Sequence, residues 1–131
     1  MGLFVDTDSF SRSAKLFYIE ADDPFIVSDY ASAEFVSVIA RMTRMGLLPK
    51  SEAQAIFGRF DTWRARSART ENVVGGDIQS ATAIIRRLDL NLRAPDAINL
   101  TIALRIGASL VTFDRRMADN ASALGIVVEA V

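Results

Sequence analysis

Apolar positions along this chain fall into short β-prone runs separated by longer stretches of helical spacing, an alternation that predicts an α/β architecture. Leu3, Phe4 and Val5 predict a short strand ending at Asp6, and Phe10, Ala14, Phe17 and Tyr18 a helix through about Ile19, closed by Asp22-Asp23-Pro24. Phe25, Ile26 and Val27 form a second run. Ser28 or Asp29 then opens a helix whose stripe is Phe35, Val38, Ile39, Met42 and Met45, ended by Gly46. Pro49 to Ser51 begins a further helix, with Ser51 and Glu52 as cap-region residues and Ala53, Ile56, Phe57, Phe60 and Trp63 on its buried face. A weak strand is expected over Asn72 to Val74, then a helix after Gly75-Gly76 lined by Ile78, Ala81, Ile85 and Leu88. The segment APDAINLTIAL gives a helix packed through Ala97, Leu100, Thr101 and Leu104, with Ile98 and Ile102 widening that face; Leu110 to Phe113 gives a strand, Arg115 to Ala123 a helix, and Ile126 to Val128 a last strand. The order βαβααβααβαβ implies a mostly parallel central sheet flanked by helices, a three-layer α/β/α arrangement in one domain spanning 1–131.

The stretch from Ala94 to Asp114 organises the chemistry. Pro95 suits the start of a helix, so Asp96 falls in its first turn at the positive end of the dipole, and Asp114 follows a strand. Asp6 also follows a strand, and Glu34 lies in the first turn or two after another. In a parallel sheet all four are expected to approach one edge, where ligands collect outside the strands' carboxyl ends. Carboxylates crowded in this way repel, and divalent cations with oxygen ligands are their natural compensation. Phosphodiester hydrolysis suits such a site: the metal activates a water, holds the phosphate in line and stabilises the leaving oxygen.

Composition narrows the choice. The 131 residues, half of them hydrophobic, contain neither cysteine nor histidine, which removes disulfides, thiolate nucleophiles, Cys/His zinc sites and imidazole bases. Carboxylates remain, alone or holding a hard cation such as Mg²⁺ or Mn²⁺. The formal net charge of −1 gives no overall basic field, yet Lys15 and Lys50 are the only lysines and the other basic residues are arginines. Arg93, Arg115 and Arg116 flank the acidic positions and are candidates to grip substrate phosphates; solvated helix faces are the plainer reading of the arginines as a class. No signal peptide or membrane span is expected, and the default location is cytoplasmic.

Three segments, VSDYASAEFVSVIARMTRMGLL around Glu34, LRAPDAINLTIAL around Asp96 and GASLVTFDRRMADNASALGI around Asp114, resemble the PIN-domain ribonucleases, most closely the VapC-type toxins of bacterial toxin–antitoxin pairs. The resemblance runs from about Phe25 to the C-terminus. It implies a PIN fold, a Mg²⁺- or Mn²⁺-dependent endoribonuclease, a homodimer, and a VapB-type antitoxin that occludes the site. Glu34, Asp96 and Asp114 match the family's second, third and fourth acidic positions.

The first position has two readings. Leu3 to Asp6 is either the first strand with its aspartate, the following helical excursion being shortened, or LFVDTDSFSRSAKLF matches a region between the first two helices and the usual first strand is missing. The first preserves a central strand; the second agrees better with length and implies a folded but weakly active chain. Each residue also has a plainer role: Asp96 as a helix-start carboxylate, Asp114 as an N-cap, Glu34 as an exposed helical glutamate, Asp6 as a loop carboxylate. The alternative function is accordingly a catalytically impaired PIN-fold binding module that dimerises or captures an antitoxin.

Overall fold

The structure, a computed structural model, describes residues 25–112 and 114–129. Asp6, the predicted strand at Leu3–Val5 and the predicted helix from Phe10 lie outside the described residues. Two compact units divide at Asn72 and Val73.

In the first unit, β1 (Phe25–Ser28) runs parallel to β2 (Ala68–Glu71), with Phe25 opposite Ala68 and Ser28 opposite Glu71. The helices α1 (Asp29–Arg44) and α2 (Lys50–Ser67) make the crossover. Ser28 caps α1, its Oγ accepting from the Ala31 N–H at 2.9 Å, and Gly46 leaves the helix at φ +76°, where a side chain would be strained. Pro49 is the N-cap of α2 without a side-chain cap bond, so Ser51 stands inside the first turn and does not cap. Most of the expected stripes form the core: Phe35 and Ile39 pack with Ala53, Ile56 and Phe60, while Val27, Met42, Phe57 and Trp63 close around them; Val38 and Met45, expected on the same stripe of α1, are exposed instead. Phe35 stacks on Phe60 with centroids 4.5 Å apart. Arg64 lies 5.5 Å from the Phe60 centroid and donates to Ser32 Oγ at 2.9 Å, tying α2 to α1. The strand expected at Asn72–Val74 forms instead at Ala68–Glu71. Pairing with β1 decides its position, overriding the apolar pattern, because ARTE is half exposed and polar.

The second unit contains α3 (Gly75–Arg86), α4 (Ala94–Ile106), β3 (Leu110–Val111), α5 (Arg115–Ala123) and β4 (Val128–Glu129). Its core gathers Leu100, Ala103, Met117, Ala121 and Ile126. The face of α3 differs from expectation: Asp77 and Ala81 are buried, whereas Ile78 is exposed and Leu88 is 87% exposed. Leu88 lies past the helix, at φ +63°, so it cannot continue the stripe. Leu104 is also exposed, while Ile102, expected to widen the packing face, and Ala103 are buried. β3 is shorter than predicted, and Phe113 is outside the described residues. β3 pairs in parallel with β4, Leu110 opposite Val128. Ile126, expected in the last strand, is a core residue whose N–H bonds to the Ala121 carbonyl at 2.9 Å, so that strand begins later. Both ladders among the described residues are parallel, as the alternation of elements requires. No helix among them is long and apolar enough to cross a membrane.

Candidate active site

Asp114 is positioned by the turn that leaves β3. Its N–H donates to Thr112 Oγ1 at 3.1 Å, and its Oδ1 accepts from the Met117 N–H at 3.2 Å as the N-cap of α5. One carboxylate oxygen is thus committed to the helix, and Oδ2 is left for other work. Asp96 stands in the first turn of α4, where Pro95 sets the backbone and the dipole favours a carboxylate. Arg116 Nη2 donates to Asp96 Oδ2 at 3.2 Å and lies 4.0 Å from Asp114 Oδ2. Two carboxylates far apart in sequence therefore converge on one positive group. The side chains are 26% exposed at Asp96, 52% at Asp114 and 37% at Arg116, so water and small ions reach all three.

A buried polar bond holds the helices that carry these groups. Asn120, buried on α5, donates through Nδ2 to the Asn91 carbonyl in the loop before α4 at 3.0 Å. A polar residue on the same face as Met117 and Ala121 was the sequence signal for this link, which pattern reading passes over. The sequence also gave no sign that Arg116 would bind the acidic positions themselves.

Glu34 is half-buried in the second turn of α1, following the carboxyl end of β1 in the first unit. Arg93 is the N-cap of α4 and Arg115 the first residue of α5, both exposed. Asp96 and Asp114 are the predicted acidic residues that the structure brings together. Among the described residues no three acidic side chains make a group that could hold a metal ion by themselves. The donor chemistry of the Asp96–Asp114 pair nonetheless fits part of a hard-cation site: both supply carboxylate oxygens, and a guanidinium already stands as the cation they share.

A second arginine–aspartate contact lies elsewhere in this unit. Arg105 donates to Asp77 through Nε to Oδ1 at 2.8 Å and through Nη2 to Oδ2 at 3.1 Å, and the Val74 N–H donates to Oδ2 at 2.9 Å. Arg105's hydrogen bonds hold the Asp77 carboxyl below the usual range against the opposing effect of burial, with the Val74 N–H adding to the depression. The pair ties α3 to α4, and Thr101 Oγ1 reinforces it by donating to the Asp77 carbonyl at 3.0 Å.

Comparison with known proteins places this architecture. One similar solved structure is VapC20 of Mycobacterium tuberculosis, described as a sarcin–ricin loop cleaving toxin; it is 19% identical, with 99% of this chain and 92% of that chain covered and a TM-score of 0.72, a likeness of fold. No curated protein matches in sequence. The family model for the PIN domain matches residues 2–123, and with the parallel α/β fold seen here the chain belongs to the PIN domain family.

Proposed function

We propose that this PIN-domain chain is a VapC-type toxin, an endoribonuclease that hydrolyses RNA phosphodiesters with Mg²⁺ or Mn²⁺. The observation that carries the reading is the convergence of Asp96 Oδ2 and Asp114 Oδ2 on one positive group in a solvent-accessible position. Carboxylates brought together only for stability are normally saturated by their partners; these keep lone pairs in reach of water. Asp96 and Asp114 hold the cation, and Glu34 and Asp6 are the remaining acidic positions of the family pattern. The family match opens at residue 2, which supports including the Asp6 segment in the domain. When bound, the divalent ion supplies Lewis-acid stabilisation of charge on the scissile phosphate. Arg93 and Arg115, exposed at the starts of α4 and α5, draw the RNA backbone toward the carboxylates. The remaining parts of this reading are a homodimer, a VapB-type antitoxin as partner and a cytoplasmic setting.

The test is cleavage of a structured RNA; a sarcin–ricin loop RNA is the first substrate to try, given the solved relative. Cleavage is expected to require Mg²⁺ or Mn²⁺ and to vanish on chelation and in Asp96→Asn. Cleavage that survives in that variant would exclude this site. A binding module that dimerises or captures an antitoxin is the second reading, favoured by the Arg116 guanidinium that already compensates the Asp96 and Asp114 carboxylates. Calorimetry separates the two, since a binding module takes up no Mn²⁺ at millimolar concentration.

A further inference from the structure

We propose that Arg116 is a tethered competitor for the divalent cation: an ion that takes Asp96 Oδ2 and Asp114 Oδ2 together displaces its guanidinium, which is thereby released to take an RNA phosphate. The inference rests on the cation-dependent reading above and adds to it a coupling between ion and substrate.

Three observations carry it. The guanidinium shares a single nitrogen between the two carboxylates, at 3.2 and 4.0 Å, so it stands where an ion bridging those oxygens would stand. A guanidinium and a divalent ion cannot use the same two lone-pair regions together. The side chain is also free to leave: it is partly exposed, and its contacts are one-sided, unlike the forked pair made by Arg105. Finally, Arg116 lies in the first turn of α5, where no acidic residue stands and where the dipole disfavours positive charge. Its place there is offset by the two aspartates. Once an ion satisfies them, the helix N-terminus favours an anion beside Arg116, and Arg115 at the adjoining position adds a second fork for phosphate.

Linkage then makes the coupling reciprocal: the ion strengthens phosphate binding, and phosphate strengthens ion binding. A charge that must be expelled lowers ion affinity in the resting protein and ties full ion occupancy to the presence of RNA.

The experiment is Mn²⁺ calorimetry on the full chain and on Arg116→Gln and Arg115→Gln. Removing the competitor is expected to tighten Mn²⁺ binding about tenfold in Arg116→Gln, with Arg115→Gln within about threefold of the parent because its charge acts only through solvent. Equal tightening in the two variants would reduce the effect to net charge and overturn the inference. Weaker binding in Arg116→Gln would overturn it too, since the arginine would then be organising the carboxylates. No Mn²⁺ binding by any of the three proteins would remove the cation-dependent reading itself, a distinguishable failure. A second measurement needs no variant: in the parent protein, saturating Mg²⁺ should shift the Arg116 Nε–H resonance and speed its exchange with water. An unchanged resonance at saturation would contradict displacement even if Arg116→Gln fails to fold.

Discussion

Arg105 and Arg116 both reach aspartates within the second unit, and they do so in opposite ways. Asp77 is 2% exposed and saturated: two bonds from Arg105 and one from the Val74 N–H occupy both its oxygens. Asp96 and Asp114 are open, and a single guanidinium nitrogen serves both. A saturated carboxylate is spent on holding helices together, because moving any partner strands a buried charge. An open one keeps an oxygen available to a ligand, even where, as at Asp114, its other oxygen caps a helix. The contrast separates architecture from chemistry with the same two residue types.

The most severe test of that division is to remove one carboxylate from each side. Asp96→Asn is expected to lower RNA cleavage by about a hundredfold or more while changing unfolding free energy by less than about 1 kcal/mol, since an exposed pair and a dipole contribution are all it loses. Asp77→Ala should do the reverse, costing about 2–3 kcal/mol in urea unfolding, less than a fully buried pair because Arg105 remains partly hydrated. Asp77→Ala should leave cleavage per folded molecule within a few-fold of the parent. If both variants lost the same property, the distinction would fail.

Acid sharpens the comparison. The folded-state pKa of Asp77 is depressed, so its stabilisation is complete above the unfolded value of 3.8 and disappears as the pH falls through the folded value. The stability gap between the parent and Asp77→Asn should therefore be constant from pH 5 to 7 and narrow below about pH 4, as read from urea midpoints.

Much of this arrangement is legible from the residue pattern, and the exceptions have physical causes. Phe35, Ile39, Ala53, Ile56 and Phe60 recur at helical spacing and are buried where the pattern says, because one apolar face leaves one way to pack. Asp114 is readable as a cap because Asp directly before a helical run is a preferred N-cap residue, a role that leaves its other oxygen for a ligand. β2 lies apart from the apolar pattern because its residues are polar and only the ladder with β1 defines it. Ile78 and Leu88 continue the apolar stripe in the sequence yet are exposed, because a buried charge, Asp77, holds that face of α3. The Arg116 contact was hidden for a related reason: it joins residues 20 positions apart on different helices, and no local spacing encodes that meeting.

A smaller effect is expected at Leu88, which holds φ at +63° while almost fully exposed. Leu88→Gly should stabilise the chain by about 0.5–1 kcal/mol, because relief of left-handed strain exceeds the entropy that glycine adds to the unfolded state. It belongs to neither arginine's ion pair. The variant thus supplies a sturdier background in which Asp77→Ala can be measured without loss of the folded baseline.

The smallest expected change bears most directly on the contrast. Arg116→Gln removes a partly exposed contact with Asp96, for which about 0.5 kcal/mol is a fair scale, and leaves two aspartates less well compensated. It also takes a positive charge from the first turn of α5, a gain of similar size. The two nearly cancel, so unfolding free energy should stay within about 0.5 kcal/mol of the parent, and the residual difference should shrink further at high salt. Arg105→Gln, by comparison, should cost about 2 kcal/mol, because the buried carboxylate of Asp77 loses its fork. Equal costs at the two positions would mean that Arg116 braces α5 against α4 in the way Arg105 braces α4 against α3, and a guanidinium needed as a brace could not give way to an ion.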